Sequence, residues 1–514
     1  MTSIATPSFR EQLALALALD NNRLFAAILV LSLAPLWLGR YLPLIDLPQH
    51  AAQIGALREI WSGNEAMAAL FWVNWFTPYL LGYLLLYALA LVVPITVATQ
   101  LLVSASVVAI PLLTGRLLRA AGADERWKWL AIPCSFGFAF YWGFLSFIVA
   151  APLALLFLIR TIGFVKQPTV WKGATIALFA ICLFFCHIIV LGFASLIALG
   201  YVAGVHHRNL KALVLHALPF TAPLPLIGVW LAVTYDNEAR VQSDPVIFGP
   251  LSYRLSSLLT QSAGREDLSG SAALIVVVVT AAVLLLPWLS GARFSRRPER
   301  WLPFSLGLLV FLGAPHYVFS TAYFYQRLGL FLVPLWLMAW DAPQRRRPIE
   351  RFAIPLVVLW VMANIGRFSA FARETESFTA LMKEMEPGRR VAAMVYDPRT
   401  PLFGLPVYLH FTAWYQAARG GIVDFNFADF YSSMARYRAD AGPRIGENLA
   451  WYPEALRWDT DGGASYDYFV VKSNADVSAV IFKDKAPSVE LVARSGWWWL
   501  YRNVERSTKL HYSP

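Results

Sequence analysis

Long apolar segments recur through the first two thirds of this sequence and constrain its fold more than any other feature. Between residues 23 and 366 they alternate with short polar segments. A helix of about 20 apolar residues crosses the roughly 30 Å hydrocarbon core of a bilayer. The composition agrees, because 58% of the residues are hydrophobic and 15% are charged, against roughly 25% charged in an average soluble domain. The pattern predicts a polytopic α-helical membrane protein.

The net charge of +11 does not indicate nucleic-acid binding. A nucleic-acid-binding protein gathers its basic residues on one face or arm. Here they fall in short loops between apolar runs, at 116–128, 160–172, 206–211, 293–300 and 345–351. Because Lys and Arg stay on the cytoplasmic side, these loops orient the chain, and nucleic acid is excluded as a partner.

The basic loops predict a multi-pass protein of the bacterial inner membrane with its N-terminus in the cytoplasm. The loop 236–270 and everything after 367 then lie in the periplasm. Residues 71–118 resemble two helices broken near Pro94. Because this segment must begin outside and end in the cytoplasm, it needs an odd number of crossings. Either part of it is interfacial, or it contains a third short pass. The expected count is therefore 11 or 13 spans.

The composition changes after residue 366, where charge rises and short β-rich runs begin to alternate with helical patterns. The sequence predicts a transmembrane module over 1–366 and an extracytoplasmic soluble α/β domain over 367–514. The predicted strands lie at 391–396, 421–427, 468–472, 479–482 and 489–493.

The first external loop begins with Leu-Ile-Asp-Leu-Pro-Gln-His at 44–50, followed by an amphipathic stretch to about Trp61. Asp46 precedes Leu-Pro, which is favourable chemistry for a helix N-cap. A carboxylate at the lipid interface also suits a general base that takes the proton of an acceptor hydroxyl. His50, one turn later, could share or orient that proton. Both interpretations of Asp46 stay open, since one residue can fill both roles.

This arrangement resembles the GT-C superfamily of membrane glycosyltransferases. Its members have many spans, an acidic residue in the first external loop, surface helices after it and often an external C-terminal domain. The resemblance covers the architecture of the whole chain, with 46–50 as its local motif. It implies a GT-C-like fold and transfer of a sugar from a polyprenyl-phosphate carrier. It implies no required cofactor, with a divalent metal ion optional.

Arg327 lies near the outer end of a late span, in Tyr-Phe-Tyr-Gln-Arg-Leu at 323–328. An arginine at the bilayer centre costs at least about 2.5 kcal/mol and less near the interface, so it should have a partner. Snorkelling to lipid head groups is one interpretation. The resemblance implies another, in which Arg327 holds the phosphate of the lipid carrier. Gln326 and His316 are weaker candidates for substrate contacts in the same region.

Three further residues are candidates for substrate binding. His187 lies at the apex between two short spans, where it is either a hydrogen-bonded structural histidine or a contact to phosphate or sugar oxygen. The turn at 143–147 is expected to border the same region, mainly through packing. His410 and Trp414 belong to an aromatic segment that suits sugar rings, with core packing as the alternative.

These observations predict an inverting hexosyl- or pentosyltransferase that works on the outer face of the inner membrane. Its expected partners are membrane lipid, a polyprenyl-phosphate sugar donor, and a glycan, lipid or protein acceptor. A transporter or flippase for a lipid-linked saccharide is an alternative, as is a noncatalytic partner in envelope assembly. Both alternatives predict that Asp46, His187 and Arg327 do not converge.

Overall fold

The computed structural model describes residues 21–237, 245–261, 271–343, 350–438, 447–483 and 488–506. In chain order the α-helices are α1 (Asn21–Leu31), α2 (Leu47–Trp61), α3 (Glu65–Leu70), α4 (Leu80–Ala90), α5 (Ile95–Ala121), α6 (Ala131–Cys134), α7 (Phe138–Trp142), α8 (Leu145–Lys166), α9 (Val170–Cys186), α10 (Ile188–His206), α11 (Leu210–Ala217), α12 (Leu224–Asn237), α13 (Leu251–Gln261), α14 (Ser271–Leu289), α15 (Pro298–Gly313), α16 (Phe324–Arg327), α17 (Gly329–Met338), α18 (Glu350–Glu374), α19 (Glu376–Lys383), α20 (Ala413–Arg419), α21 (Glu447–Trp451) and α22 (Ser478–Ile481). The strands are β1 (Phe71–Val73), β2 (Arg293–Phe294), β3 (Tyr317–Val318), β4 (Thr321–Ala322), β5 (Trp340–Asp341), β6 (Arg390–Val395), β7 (Ile422–Val423), β8 (Ala435–Tyr437), β9 (Tyr468–Lys472), β10 (Val489–Ser495) and β11 (Trp498–Asn503).

The apolar helices have the length and composition of a multi-pass membrane protein. Among the described residues, four are long and apolar enough to cross a membrane, namely Ile95–Ala121, Leu145–Lys166, Ile188–His206 and Phe352–Lys383. The pair Leu210–Thr221 and Leu224–Thr234, bent by 48°, makes a fifth if it acts as one span. Shorter apolar helices of 10–17 residues accompany them. The total of 11 or 13 spans stays a prediction.

The segment 71–118 contains the predicted break. Pro94 is the N-cap of α5, and Gly122, with a left-handed φ of 77°, ends that helix, as glycine commonly does. Residues 71–73 are extended and pair antiparallel with β8. A helical pass over these three residues is therefore ruled out, and the strand instead joins the segment after α3 to the C-terminal part of the chain.

The C-terminal part contains a five-stranded mixed sheet of order β10-β11-β9-β6-β7. β6 is parallel to both β7 and β9, whereas β11 is antiparallel to β9 and β10. The strand predicted at 479–482 is wrong, because α22 covers most of it. The Asp476 carboxylate accepts a hydrogen bond of 2.8 Å from the Ser478 amide, which favours a helical turn. The predicted domain boundary at 366/367 falls inside the continuous helix α18.

The stretch predicted to be amphipathic forms helix α2, which is buried over most of its length. Two glutamines one turn apart explain the burial. The Gln49 side chain donates to Phe425 O at 2.9 Å and accepts from Phe427 N at 3.1 Å. Gln53 accepts from Ala435 N at 2.8 Å. These amides pair with the backbone of the C-terminal part, which packs directly on α2.

Candidate active site

A polar cavity of about 150 Å³ lies between α2, the helices α7 and α8, the hairpin β3–β4 and the C-terminal part. Five of the residues singled out in the sequence line it, namely Asp46, His50, His187, Arg327 and His410. They come from widely separated segments of the chain. Asp46, His187 and Arg327 therefore converge on one cavity, which neither the transporter nor the assembly interpretation predicts.

Asp46 occupies the N-cap position of α2, but its side chain makes no capping hydrogen bond. Its backbone amide donates instead to Trp142 O at 2.9 Å, which attaches the start of α2 to the end of α7. Gly143 allows this contact. It has a left-handed φ of 82°, and a Cβ at this position would lie 2.9 Å from the backbone nitrogens of Asp46 and Leu47.

His410 faces Asp46 from the C-terminal part, with its Nε2 3.6 Å from Asp46 Oδ1. The imidazole stacks on Phe425 at 5.0 Å between centroids. Burial, followed by the charge effect of His50, lowers the pKa of His410 to about 3. Although a nearby carboxylate favours protonation, desolvation outweighs it. The contact therefore joins a carboxylate to a neutral imidazole.

His50 and His187 line the same cavity. His50 Nδ1 lies 2.9 Å from the Tyr83 hydroxyl, and burial, with a smaller effect of Arg327, lowers the pKa of His50 to about 3. The His187 ring packs between Tyr79 and Phe147, at 4.7 and 5.3 Å between centroids. Its buried Nδ1 has no hydrogen-bond partner among the described residues, so it is available to a ligand.

The Arg327 guanidinium is buried and aimed into the cavity, so the snorkelling interpretation does not describe it. Its Nη2 donates to Ala322 O at 2.8 Å, and its Cζ lies 3.6 Å from the centroid of Phe144. Tyr79 lies beside the guanidinium. The buried Nε finds no acceptor within the described part of the chain. An anion in the cavity would provide one.

A second, apolar pocket of about 390 Å³ adjoins the polar cavity. Its walls come mainly from α10 and α12, together with Val310, Phe324 and Leu328. Four residues line both spaces: Tyr79, Thr321, Tyr431 and Ser432. A ligand with a polar head and a long apolar tail could therefore occupy both.

The hairpin β3–β4 stands between these two spaces. Its tip residues Phe319 and Ser320 have left-handed φ values of 49° and 53°, which two-residue hairpin turns require and which Asn-Gly adopts more readily. The Tyr431 hydroxyl donates to Phe319 O at 2.8 Å. Arg327 holds Ala322 at the other end of the hairpin, so the C-terminal part and the arginine of the cavity both fix its position.

Three predicted substrate-binding residues do not line the polar cavity. Gln326 is buried beside it, with its Nε2 2.7 Å from His316 Nδ1. Trp414 is buried in the core, 5.2 Å from Tyr41 between ring centroids. Within the described ranges, no group of three or more His, Cys, Asp or Glu side chains is arranged to hold a metal ion.

The sequence matches no protein-family model and no curated protein sequence. The fold is similar to that of ArnT from Cupriavidus metallidurans bound to undecaprenyl phosphate, with a TM-score of 0.54 and 12% identity over 93% of this chain and 97% of ArnT. ArnT in the apo state gives a TM-score of 0.51 and 11% identity over 94% of this chain and 97% of ArnT. The chain therefore shares the fold of ArnT. The likeness to the arabinofuranosyltransferase AftD from Mycobacteria is weaker, at a TM-score of 0.48 and 15% identity over 94% of this chain and 42% of AftD.

Within this fold, several cavity residues have no sequence signature that singles them out. Tyr79 lies in an ordinary aromatic segment, and Tyr83 belongs to an apolar helix. The turn at 143–147 contributes Phe144, Ser146 and Phe147 to the lining, as its predicted position near the cavity suggested. The hairpin β3–β4 could have been found only from the tertiary contacts of Arg327 and Tyr431.

Proposed function

We propose that this protein is a glycosyltransferase that moves a sugar from a polyprenyl-phosphate carrier to an acceptor hydroxyl. The observation that carries the proposal is the continuity of two spaces. One contains a carboxylate and an arginine, and the other is apolar. The GT-C fold supports this assignment, and so does the likeness to ArnT, which binds undecaprenyl phosphate.

The lipid carrier occupies both spaces in this proposal. Its apolar chain lies in the pocket beside α10 and its phosphate lies at Arg327. Guanidinium groups bind phosphate through paired, charge-assisted hydrogen bonds, and the unpartnered Nε of Arg327 supplies one donor. Tyr79 and His187 lie beside this position and contact the remaining phosphate or sugar oxygens.

Transfer then proceeds as a single displacement with inversion at the anomeric carbon. The acceptor oxygen forms a bond to that carbon while the bond from the carbon to the phosphate oxygen breaks. The acceptor proton passes to the Asp46 carboxylate, and the leaving polyprenyl phosphate keeps the electron pair beside Arg327. Neutral His410 and His50 border Asp46 and help to orient the reacting hydroxyl.

Arg327 provides the positive charge that a monophosphate leaving group needs. We therefore propose that transfer requires no metal ion, although a divalent cation is compatible with the reaction. The reaction takes place on the outer face of the bacterial inner membrane, with the N-terminus in the cytoplasm and the C-terminal part in the periplasm.

The test uses full-length protein in nanodiscs. Binding of undecaprenyl phosphate is measured alongside release of this lipid from a set of polyprenyl-phosphate hexoses and pentoses, with methyl glycosides and a Ser/Thr-containing peptide supplied as acceptors. Arg327→Gln should weaken lipid binding about ten- to a hundredfold, because a charged hydrogen bond is worth about 1.5–3 kcal/mol. Asp46→Asn should retain binding and lose release. Arg58→Gln, which removes a positive charge outside the cavity, is the matched control.

A flippase is the second candidate, since the apolar pocket would also receive a lipid-linked saccharide. A flippase should move a labelled lipid-linked sugar from one leaflet of a proteoliposome membrane to the other without changing it chemically. Asp46→Asn should not affect this movement. A noncatalytic assembly partner predicts neither release nor movement. Undecaprenyl phosphate released by the wild type but not by Asp46→Asn contradicts both.

A further inference from the structure

The two ends of the polar cavity differ in character. Tyr79, Thr321, Tyr431 and Ser432 form the end shared with the apolar pocket. Trp451 also lines the polar cavity, but it is not among the described residues of the apolar pocket. Its side chain is 39% exposed, so this part of the cavity opens at the surface of the protein. Because the other end adjoins the apolar pocket, the opening at Trp451 suits a water-soluble substrate.

The exposure of Trp451 is unusual, because a large aromatic side chain is normally more buried than a small neighbour. Trp451 is the last residue of α21, and the preceding Ala450 is buried in the core of the C-terminal part. The small side chain thus faces inward and the large one outward. A tryptophan that is fully buried contributes far more hydrophobic stabilisation than an alanine. A single exposed aromatic residue is ordinary on a surface, but this one borders the cavity of the Asp46 carboxylate.

The chemistry around Trp451 fits a sugar ring. The face of an indole carries partial negative charge, which matches the weakly positive C–H groups on the flat face of a pyranose. The C-terminal part adds His410, whose buried Nδ1 has no partner among the described residues, and whose Nε2 faces Asp46. A sugar stacked at Trp451 would thus have hydrogen-bonding groups and a general base on its inner side.

We propose that the acceptor is a glycan and that Trp451 is the stacking platform for the sugar residue that receives the transferred group. This inference rests on the glycosyltransferase function proposed above and names its acceptor class. The C-terminal part then supplies the acceptor half of the site, while Arg327, Tyr79 and His187 supply the donor half.

The experiment measures transfer in nanodiscs from the polyprenyl-phosphate sugar that supports release. Methyl glucoside, galactoside and mannoside are the glycan probes, and a Ser/Thr-containing peptide is the alternative acceptor. Trp451→Ala should raise the KM for the active glycoside about tenfold, the size expected for loss of one aromatic contact, with a smaller change in kcat. Trp451→Phe should recover most of that loss because it restores a ring face. Tyr452→Ala removes a neighbouring aromatic that is 61% exposed and outside the cavity, and should not change the KM.

The outcomes separate this inference from the function on which it rests. Transfer to the peptide but to none of the glycosides would overturn the glycan acceptor and leave the glycosyltransferase assignment standing. Glycosides used with equal KM by wild type and Trp451→Ala would overturn the stacking role of Trp451 and leave both the glycan acceptor and the glycosyltransferase assignment standing. Failure of the wild type to consume the donor with either acceptor class would overturn both proposals.

Discussion

The Nε2 atom of His410 lies 3.6 Å from the Asp46 carboxylate, across the junction between the start of α2 and the C-terminal part of the chain. The two residues are held there by different means. Asp46 is attached to the end of α7 through its backbone, and His410 is stacked on Phe425, whose carbonyl is bonded to Gln49 of α2. Helix α2 therefore positions both the proposed base, Asp46, and the His410 side chain that faces it.

Replacing Asp46 with Asn should lower kcat about 10²- to 10⁴-fold, the usual contribution of a general base. Thermal stability should change little, because the carboxylate makes no capping hydrogen bond. Asn64→Ala is the matched control, since the Asn64 side chain does cap α3 through Met67 N. It should cost about 0.5–2 kcal/mol of stability with activity kept. Normal turnover by Asp46→Asn would contradict the general-base role of Asp46.

Gly143→Ala should reduce turnover far more than a control glycine-to-alanine change that lowers stability by a similar amount. The new Cβ would meet the backbone nitrogens of Asp46 and Leu47 at 2.9 Å, and it would therefore shift the carboxylate. Gly63→Ala is the control, because Gly63 has a similar φ of 88° and open space around its Cβ position. Both variants bear the cost of a left-handed alanine, about 1–2 kcal/mol. Turnover and melting temperature measured together distinguish them, and equal activity in the two variants would contradict the positioning role of Gly143.

Acidification should destabilise the protein between about pH 6.5 and 3. Burial lowers the pKa of His50 and His410 to about 3, whereas an unfolded histidine titrates near 6.5. Below pH 6.5 the unfolded chain binds protons that the folded chain does not, so stability falls with pH. Melting temperature measured against pH should show this slope, and His410→Gln should reduce it. His207→Gln, at an exposed position, should leave it intact. A wild-type profile flat over this range would rule out two neutral buried histidines.

Gln49→Leu should disturb acceptor use while the donor still binds. It removes the hydrogen bonds to Phe425 O and Phe427 N, which position the rings beside His410. We expect about 1–3 kcal/mol of lost stability from the unsatisfied backbone groups and a lower kcat, with unchanged affinity for undecaprenyl phosphate. Gln100→Leu is the control, because Gln100 is also buried and bonded to two carbonyls, Leu36 O and Gly39 O. The Gln100→Leu variant should lose a similar amount of stability. Its kcat, calculated per folded molecule, should equal that of the wild type.

The apolar runs by themselves predicted a multi-pass α-helical membrane protein, because segments that lack charge cannot expose their backbone to lipid except as helices. Local chemistry also located the break at Pro94 and the start of α2 after Asp46. These features depend on residues close together in the sequence, and they could be predicted without the structure.

Only the tertiary structure decided which polar side chains meet. His410 and Trp414 are one helical turn apart, yet His410 enters the cavity and Trp414 packs against Tyr41. Gln49 and Gln53 lie in a stretch predicted to be amphipathic, and their amides pair with backbone groups far along the chain. Contacts between distant segments determine both outcomes, because burial of a polar group depends on the partner that satisfies it. No local pattern in one sequence encodes that partner.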